Sequence, residues 1–109
     1  VGKKILVLGD MGEIGDMTGQ FHDEVGGYAK SQGVDLLFAL GDSSALAAYN
    51  FGIGGRHFKK IEDLVPALLP EMTADATVLI KGSRFMRMER VVEAVAAPDT
   101  DSVQPEEKK

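Results

Sequence analysis

The sequence predicts a three-layer α/β sandwich with a mostly parallel sheet. Three short runs, residues 4–8, 36–40 and 77–81, are almost continuously apolar, which is typical of strands covered on both faces. A glycine directly follows each run. Helical patterns lie between these runs, so right-handed crossovers should join parallel strands. The loops after the strands are then expected to meet at one edge of the sheet, where ligands of such folds bind.

The first helix is expected over residues 20–32. Phe21, Val25 and Tyr28 recur there on one face. Gly33 follows and is suited to end the helix.

A short second helix is expected to end near Tyr49, with Ser43 and Ser44 suited to cap its start. A further short strand is expected over residues 55–58. The third helix contains Pro66, which is tolerated in a first turn. The last helix is expected to begin near Met86. The inward positions of these last two helices are Ile61, Leu64, Val65, Leu68, Met88, Val91, Val92 and Val95.

Length and composition indicate one domain. Of the 109 residues, 1–97 have the composition of a globular core, whereas 98–109 are acidic and poor in apolar residues, which predicts a disordered tail. The net charge of −5 argues against nucleic-acid binding. The absence of cysteine suits the cytoplasm, and no apolar run is long enough to cross a membrane, so no membrane association is expected.

The loop after the first strand is rich in glycine and carboxylates. Asp10, Met11, Gly12 and Glu13 begin it, and its glycine spacing differs from the G-x-G-x-x-G of dinucleotide-binding folds. Glycines let a ligand approach the backbone, and the carboxylates can accept hydrogen bonds from an ammonium or a ribose. The alternative interpretation is a solvated turn.

The loop after the run at 77–81 is basic. Ser83 and the backbone of Gly82 offer donors at the start of the last helix, where the helix dipole favours an anion. Lys81 or Arg84 can add a charge-assisted hydrogen bond. Cations are unfavourable at a helix N-terminus, so an anion-binding role is favoured over a surface charge run.

The sequence supports no metal site and no serine-hydrolase motif. His22 and His57 are the only histidines, and neither has a second ligand at metal-binding spacing. His22 is expected to pack or cap within the first helix, and His57 to lie in a loop or edge strand. No G-x-S-x-G elbow is present.

Two separated motifs resemble the C-terminal domain of the MurF ligases, a branch of the Mur ligase family. The resemblance covers about residues 3–96 and implies a Rossmann-like α/β fold. The residues that carry it are the segment 8–15, His22, Val25, Gly26, Ala29, the segment 81–84, Met86, Met88 and Glu89.

By this resemblance, the complete enzyme uses ATP and Mg²⁺ to convert the carboxylate of UDP-N-acetylmuramoyl-tripeptide (UDP-MurNAc-tripeptide) into an acyl phosphate. The amine of D-Ala-D-Ala then forms the amide in peptidoglycan synthesis. The C-terminal domain closes onto the central ATPase domain and helps to bind the dipeptide. Transferred to this sequence, Asp10, Met11, Gly12 and Glu13 border the substrate, and Ser83 and Arg84 bind a carboxylate or a phosphate.

The sequence also departs from the complete family pattern. It contains no P-loop, so ATP and Mg²⁺ are expected to bind mainly on other domains, and no cofactor-binding residue is assigned here. The family's Asn-Ala-Asn-Pro segment is missing as well, so the first strand–helix segment of the domain is expected to be lacking and the isolated domain to be inactive. The competing hypothesis is a non-catalytic α/β module that binds a small molecule or a protein.

Overall fold

The computed structural model describes residues 2–11, 18–83, 86–95 and 103–108, and it is an α/β structure built on a five-stranded sheet. In chain order its elements are β1 (Lys4–Gly9), α1 (Thr18–Ser31), β2 (Leu36–Leu40), α2 (Ala45–Phe51), β3 (Gly55–Phe58), α3 (Ile61–Leu68), a 3₁₀ turn (Leu69–Glu71), β4 (Thr77–Ser83), α4 (Glu89–Val95) and β5 (Val103–Lys108).

The strands lie in the order β3-β2-β1-β4-β5, and every neighbouring pair is parallel. Successive strands are added outward from β1 on one side, and the chain then crosses back to add β4 on the other side. This order reverses direction between β1 and β4, which is the topological switch of Rossmann-like folds. The predicted fold class is therefore confirmed.

Helices cover both faces of the sheet because the strand side chains alternate. In β1, Ile5 and Val7 point into the cluster formed with α3 and α4, and Leu6 and Leu8 point into the cluster formed with α1 and α2. The continuous apolar pattern of the strand thus reflects two cores rather than one. The most deeply buried residues of the two cores include Val7, Leu37, Phe38, Phe51, Leu64, Leu68, Val78, Ile80 and Val91.

Pro66 differs from its expected place. It lies inside α3, beyond the first turn, where it has no N–H to bond the carbonyl of Glu62. The buried side chains of Leu64 and Leu68 hold this short helix on the sheet. Tertiary packing therefore outweighs the local cost of the proline.

Within the segment 98–109, for which disorder was expected, the structure describes residues 103–108. Residues 103–108 form β5, which pairs in parallel with β4 from Val78 through Ser83. Disorder was expected because the side chains of this segment offer little apolar surface. A strand at the edge of a sheet, however, presents unpaired backbone N–H and C=O groups to any extended segment. Pro105 is compatible with such an outer strand.

Candidate functional site

The carboxyl ends of β1 and β4 lie side by side. The register pairs Leu8 with Lys81, and a Cβ on Gly82 would lie 3.3 Å from the Cα of Gly9. The acidic loop starts after β1 and the basic loop at the end of β4. This register therefore brings the starts of the two loops to the same place, as their positions in the sequence predict.

Asp10 joins the end of β1 to the start of α2. Its carboxylate accepts hydrogen bonds from the backbone N–H groups of Ser43 at 3.2 Å and Ser44 at 2.7 Å. A Cβ on Gly41 would lie only 2.6 Å from this carboxylate, so the close approach requires a residue without a side chain. Asp10 thus caps α2, a role that the sequence analysis assigns to the two serines.

The carboxylate of Asp10 can accept further hydrogen bonds beside those from Ser43 and Ser44. A carboxylate has about four acceptor positions, of which these two bonds use two. Asp10 is half-buried at the edge of the sheet. The geometry therefore fixes the carboxylate in place and still permits a contact with a ligand ammonium.

The turn between β2 and α2 is held by side chains from two elements. The carbonyl oxygen of Gly41 accepts hydrogen bonds from Ser44 Oγ at 3.2 Å and from His57 Nε2 at 2.7 Å. Because a carbonyl only accepts, this contact assigns the proton of the His57 ring to Nε2. His57 lies on β3, as expected, and its ring stabilises this turn from the neighbouring strand.

Met11 is buried directly after Asp10, and its backbone N–H donates to His22 Nε2 at 3.0 Å. His22 lies on α1 and is completely buried. Its ring also meets that of Phe21 edge-on, with the ring centroids 5.5 Å apart. The expected packing role of His22 is observed, and the ring in addition bonds the chain just beyond β1.

Met88 fills the crevice between the ends of β1 and β4. It is buried, and its Sδ would lie 2.7 Å from a Cβ on Gly9, and its Cγ 2.6 Å from a Cβ on Gly82. The two glycines therefore make room for a thioether.

At the start of the last helix, the side chain of Arg90 bonds the backbone of its own chain. Its Nε donates to the carbonyl of Arg87 at 3.0 Å, and its Nη2 to the carbonyl of Met86 at 2.8 Å. Arg87 has a positive φ of 51°, so these bonds stabilise a turn that an L-residue seldom adopts. Arg87 itself is exposed and lies near Glu89.

Several predicted site residues cannot be placed. Gly12, Glu13 and Arg84 lie outside the described residues, and Ser83 is described only through its backbone at the end of β4. Of the predicted site, the structure therefore places Asp10 and Met11 and the start of the basic loop. Sequence reasoning did not identify the contacts of Asp10 with α2 or of His22 with Met11, because both join segments that are distant in sequence.

Within the described ranges, no group of three or more His, Cys, Asp or Glu side chains is arranged to hold a metal ion. The helices of the same ranges include none long and apolar enough to cross a membrane.

The fold and this edge define the class of protein: a Rossmann-like α/β domain in which the loops after β1 and β4 begin side by side, at the edge where ligands of parallel sheets bind. The sequence profile of the Mur ligase, glutamate ligase domain, matches residues 1–84. The chain belongs to this family.

Curated relatives named UDP-N-acetylmuramoyl-tripeptide–D-alanyl-D-alanine ligase are similar to most of the chain. The protein from Buchnera aphidicola is 37% identical in an alignment of 95 positions that covers 84% of this chain and 20% of the relative. The protein from Escherichia coli is 36% identical in an alignment of 96 positions that covers 86% of this chain and 21% of the relative. The chain thus spans about a fifth of the length of these relatives.

A solved structure agrees with this assignment. The crystal structure of MurF from Acinetobacter baumannii matches with a TM-score of 0.76 and 27% identity, over 87% of this chain and 22% of that chain. This match extends beyond the core of the sheet to most of the elements. It agrees with the parallel α/β architecture described above.

Proposed function

We propose that this chain is the acceptor-binding and closing domain of an ATP-dependent ligase that joins D-Ala-D-Ala to UDP-MurNAc-tripeptide in peptidoglycan synthesis. The observation that carries the proposal is the similarity of over four fifths of the chain to UDP-N-acetylmuramoyl-tripeptide–D-alanyl-D-alanine ligases. A cytoplasmic location belongs to the same proposal.

The proposed reaction has two steps. The γ-phosphoryl group of ATP is first transferred to the tripeptide carboxylate, which gives an acyl phosphate and releases ADP. The amine of D-Ala-D-Ala then attacks the acyl carbon. The tetrahedral intermediate expels phosphate and loses a proton to leave the amide. Negative charge develops on oxygen in both steps, so fixed hydrogen-bond donors and cations favour the reaction.

The two loops are suited to opposite ends of the dipeptide. Asp10 and Glu13 offer carboxylates that can orient the incoming amine while it still carries its proton, and Met11 and Gly12 border it. Ser83 and Arg84 offer a hydroxyl and a guanidinium to its carboxylate or to phosphate. The adjacency of β1 and β4 supports this arrangement, because it brings the starts of both loops to one place.

ATP and Mg²⁺ are proposed to bind mainly on other parts of the ligase, with the central ATPase domain as the partner of this chain. The sequence of this chain contains no P-loop, the motif that cradles nucleotide phosphates. The described side chains also offer no metal cluster. No chemical step is therefore assigned to a nucleotide held by this chain alone.

The test is a ligation assay on the complete protein that contains this sequence. Purified protein is given ATP, Mg²⁺, UDP-MurNAc-tripeptide and D-Ala-D-Ala, and the pentapeptide product is detected by mass. L-Ala-L-Ala is the matched substrate control. We expect product with D-Ala-D-Ala but not with L-Ala-L-Ala. Deletion of residues 1–109 from the complete protein should abolish the activity. Absence of the D-Ala-D-Ala product would contradict the proposal and favour a non-catalytic binding module.

A further inference from the structure

His22 is a fully buried polar side chain that bonds the backbone at the end of a strand. It has no exposed surface, and Nε2 accepts the N–H of Met11 at 3.0 Å. The bond joins α1 to the residue that follows Asp10, so the partners come from different elements. Such a contact fixes the position of one segment against the other.

The bond supplies an acceptor to a buried backbone N–H group, that of Met11. Met11 lies beyond the last residue of β1, and it is buried where water cannot supply an acceptor. A buried N–H without a partner costs about 1–3 kcal/mol, so an acceptor at this point is needed. The histidine ring supplies it with the unprotonated Nε2, which places the ring proton on Nδ1.

Two consecutive residues are therefore tied to two different helices. The Asp10 carboxylate holds the start of α2, and the Met11 N–H is held by α1. The side chain of Asp10 and the N–H of the peptide that follows it are thus both held, which limits the movement of the backbone at Asp10 and Met11.

We propose that His22 is a positioning residue of the ligase: it fixes the backbone at Met11, next to Asp10, and thereby the position of the Asp10 carboxylate and the affinity for the acceptor dipeptide. This inference rests on the proposed function for the identity of the ligand. The positioning itself can be tested without the reaction, because it concerns the Met11 amide.

Two substitutions separate positioning from packing. His22→Gln keeps an acceptor at nearly the same distance from the backbone, since the amide oxygen of glutamine can take the place of Nε2. His22→Leu keeps the volume and removes the acceptor. Val91→Ala is the matched control, because Val91 is fully buried in the other core, across the sheet from His22.

The first measurement is hydrogen exchange at the Met11 amide in the complete ligase, followed by mass spectrometry of the peptide that contains it. We expect the Met11 amide to exchange roughly tenfold faster or more in His22→Leu than in the wild type. In His22→Gln and Val91→Ala its exchange rate should be close to that of the wild type. Equal protection of the Met11 amide in His22→Leu and wild type would overturn the inference.

The second measurement is steady-state kinetics of the same ligase variants. We expect the KM for D-Ala-D-Ala to rise roughly tenfold or more in His22→Leu, with the KM for ATP unchanged, and to return within about threefold of wild type in His22→Gln. Val91→Ala should lose thermal stability without this change in KM. If His22→Leu and Val91→Ala behave alike, His22 is only a core residue and the inference fails.

The controls also distinguish failure of the inference from failure of the proposed function. Wild-type protein that does not use D-Ala-D-Ala contradicts the function alone, and the exchange of the Met11 amide still decides the positioning role. Wild-type protein that does use it, combined with unchanged kinetics in His22→Leu, contradicts the positioning role alone.

Discussion

The carboxylate of Asp10 accepts the backbone N–H of Ser44 at 2.7 Å and so fastens the first strand of the sheet to the second helix. The same carboxylate accepts the N–H of Ser43. An acidic residue of the candidate site therefore has a structural role in addition to the proposed contact with substrate.

Removal of this carboxylate should destabilise the chain. Asp10→Ala leaves the N–H groups of Ser43 and Ser44 without their acceptor, and we expect a loss of about 1–2 kcal/mol in the free energy of unfolding. Asp10→Asn keeps one acceptor oxygen and should lose less. Urea denaturation of the 109-residue chain, followed by circular dichroism, measures both.

Asp42 provides the matched control for Asp10. It is exposed and close in sequence to the same helix start. Asp42→Ala should change the free energy of unfolding by less than about 0.5 kcal/mol. Equal effects of Asp10→Ala and Asp42→Ala would show that the capping bonds contribute nothing.

The second prediction concerns the thioether in the crevice between β1 and β4. Gly9→Ala places a methyl group about 2.7 Å from Met88 Sδ, in a buried site that has no room for it. We expect a destabilisation of about 1–3 kcal/mol from overpacking. The unfolding midpoint of the variant in urea checks this.

A double-mutant cycle shows whether Met88 is the cause. Met88→Ala alone should cost about 2–5 kcal/mol because it leaves a cavity. In the Met88→Ala background, Gly9→Ala should cost less than in the wild type, so the two effects should not add. Strict additivity would mean that another neighbour rejects the methyl group.

The strands were the most predictable part of the fold. Residues 4–8, 36–40 and 77–81 were expected, and β1, β2 and β4 span Lys4–Gly9, Leu36–Leu40 and Thr77–Ser83. A continuous apolar run is a local signal, and a sheet with two covered faces requires it. The helix expected over 20–32 was also confirmed, because apolar residues that recur on one face are a local signal as well, and its bounds are shifted by one or two residues.

The contacts that shape the candidate site were less predictable. Asp10 and Ser44 are 34 positions apart, and no local pattern in the sequence joins them. The sequence predicted that Ser43 and Ser44 cap α2, whereas the Ser44 hydroxyl bonds the carbonyl of Gly41. β5 was missed because its pairing uses backbone groups, which are independent of side-chain composition.

The third prediction compares two adjacent glycines of α1. A Cβ on Gly26 would collide with the backbone carbonyl of Ala47 on α2, whereas a Cβ on Gly27 would meet only the Asn50 side-chain amide at 2.9 Å. Gly26→Ala should therefore force the helices apart and cost more than about 2 kcal/mol. Gly27→Ala should be nearly neutral. Alanine favours the helix by about 1 kcal/mol, and this gain is offset by the displacement of the Asn50 amide. Thermal denaturation of both variants measures the contrast.

Gly27 and Gly26 share one helix and one substitution, so each serves as the control for the other. The displaced Asn50 amide must give up or adjust its 2.7 Å bond to the carbonyl of Asp23, which offsets part of the helix gain. A variant pair with equal stability would show that α1 and α2 are less closely packed than their backbones indicate.

The fourth prediction tests the proposed anion site in the complete ligase. Arg84→Ala removes the guanidinium proposed to bind the dipeptide carboxylate or a phosphate. We expect kcat/KM for D-Ala-D-Ala to fall roughly tenfold or more, which corresponds to about 1.4 kcal/mol. A rise in KM alone would indicate binding of the ground state, whereas a fall in kcat would indicate a contact that strengthens in the transition state.

Lys4→Ala is the matched control for Arg84→Ala, because it removes the same charge at the opposite end of the neighbouring strand, where Lys4 is exposed. It should leave kcat/KM within about twofold, since a surface charge at that distance is screened by salt. Arg84→Lys separates charge from geometry: a lysine keeps the charge but cannot form a two-pronged bond to a carboxylate. Partial recovery in Arg84→Lys is expected, and wild-type kinetics in Arg84→Ala with an intact fold would rule out the anion site.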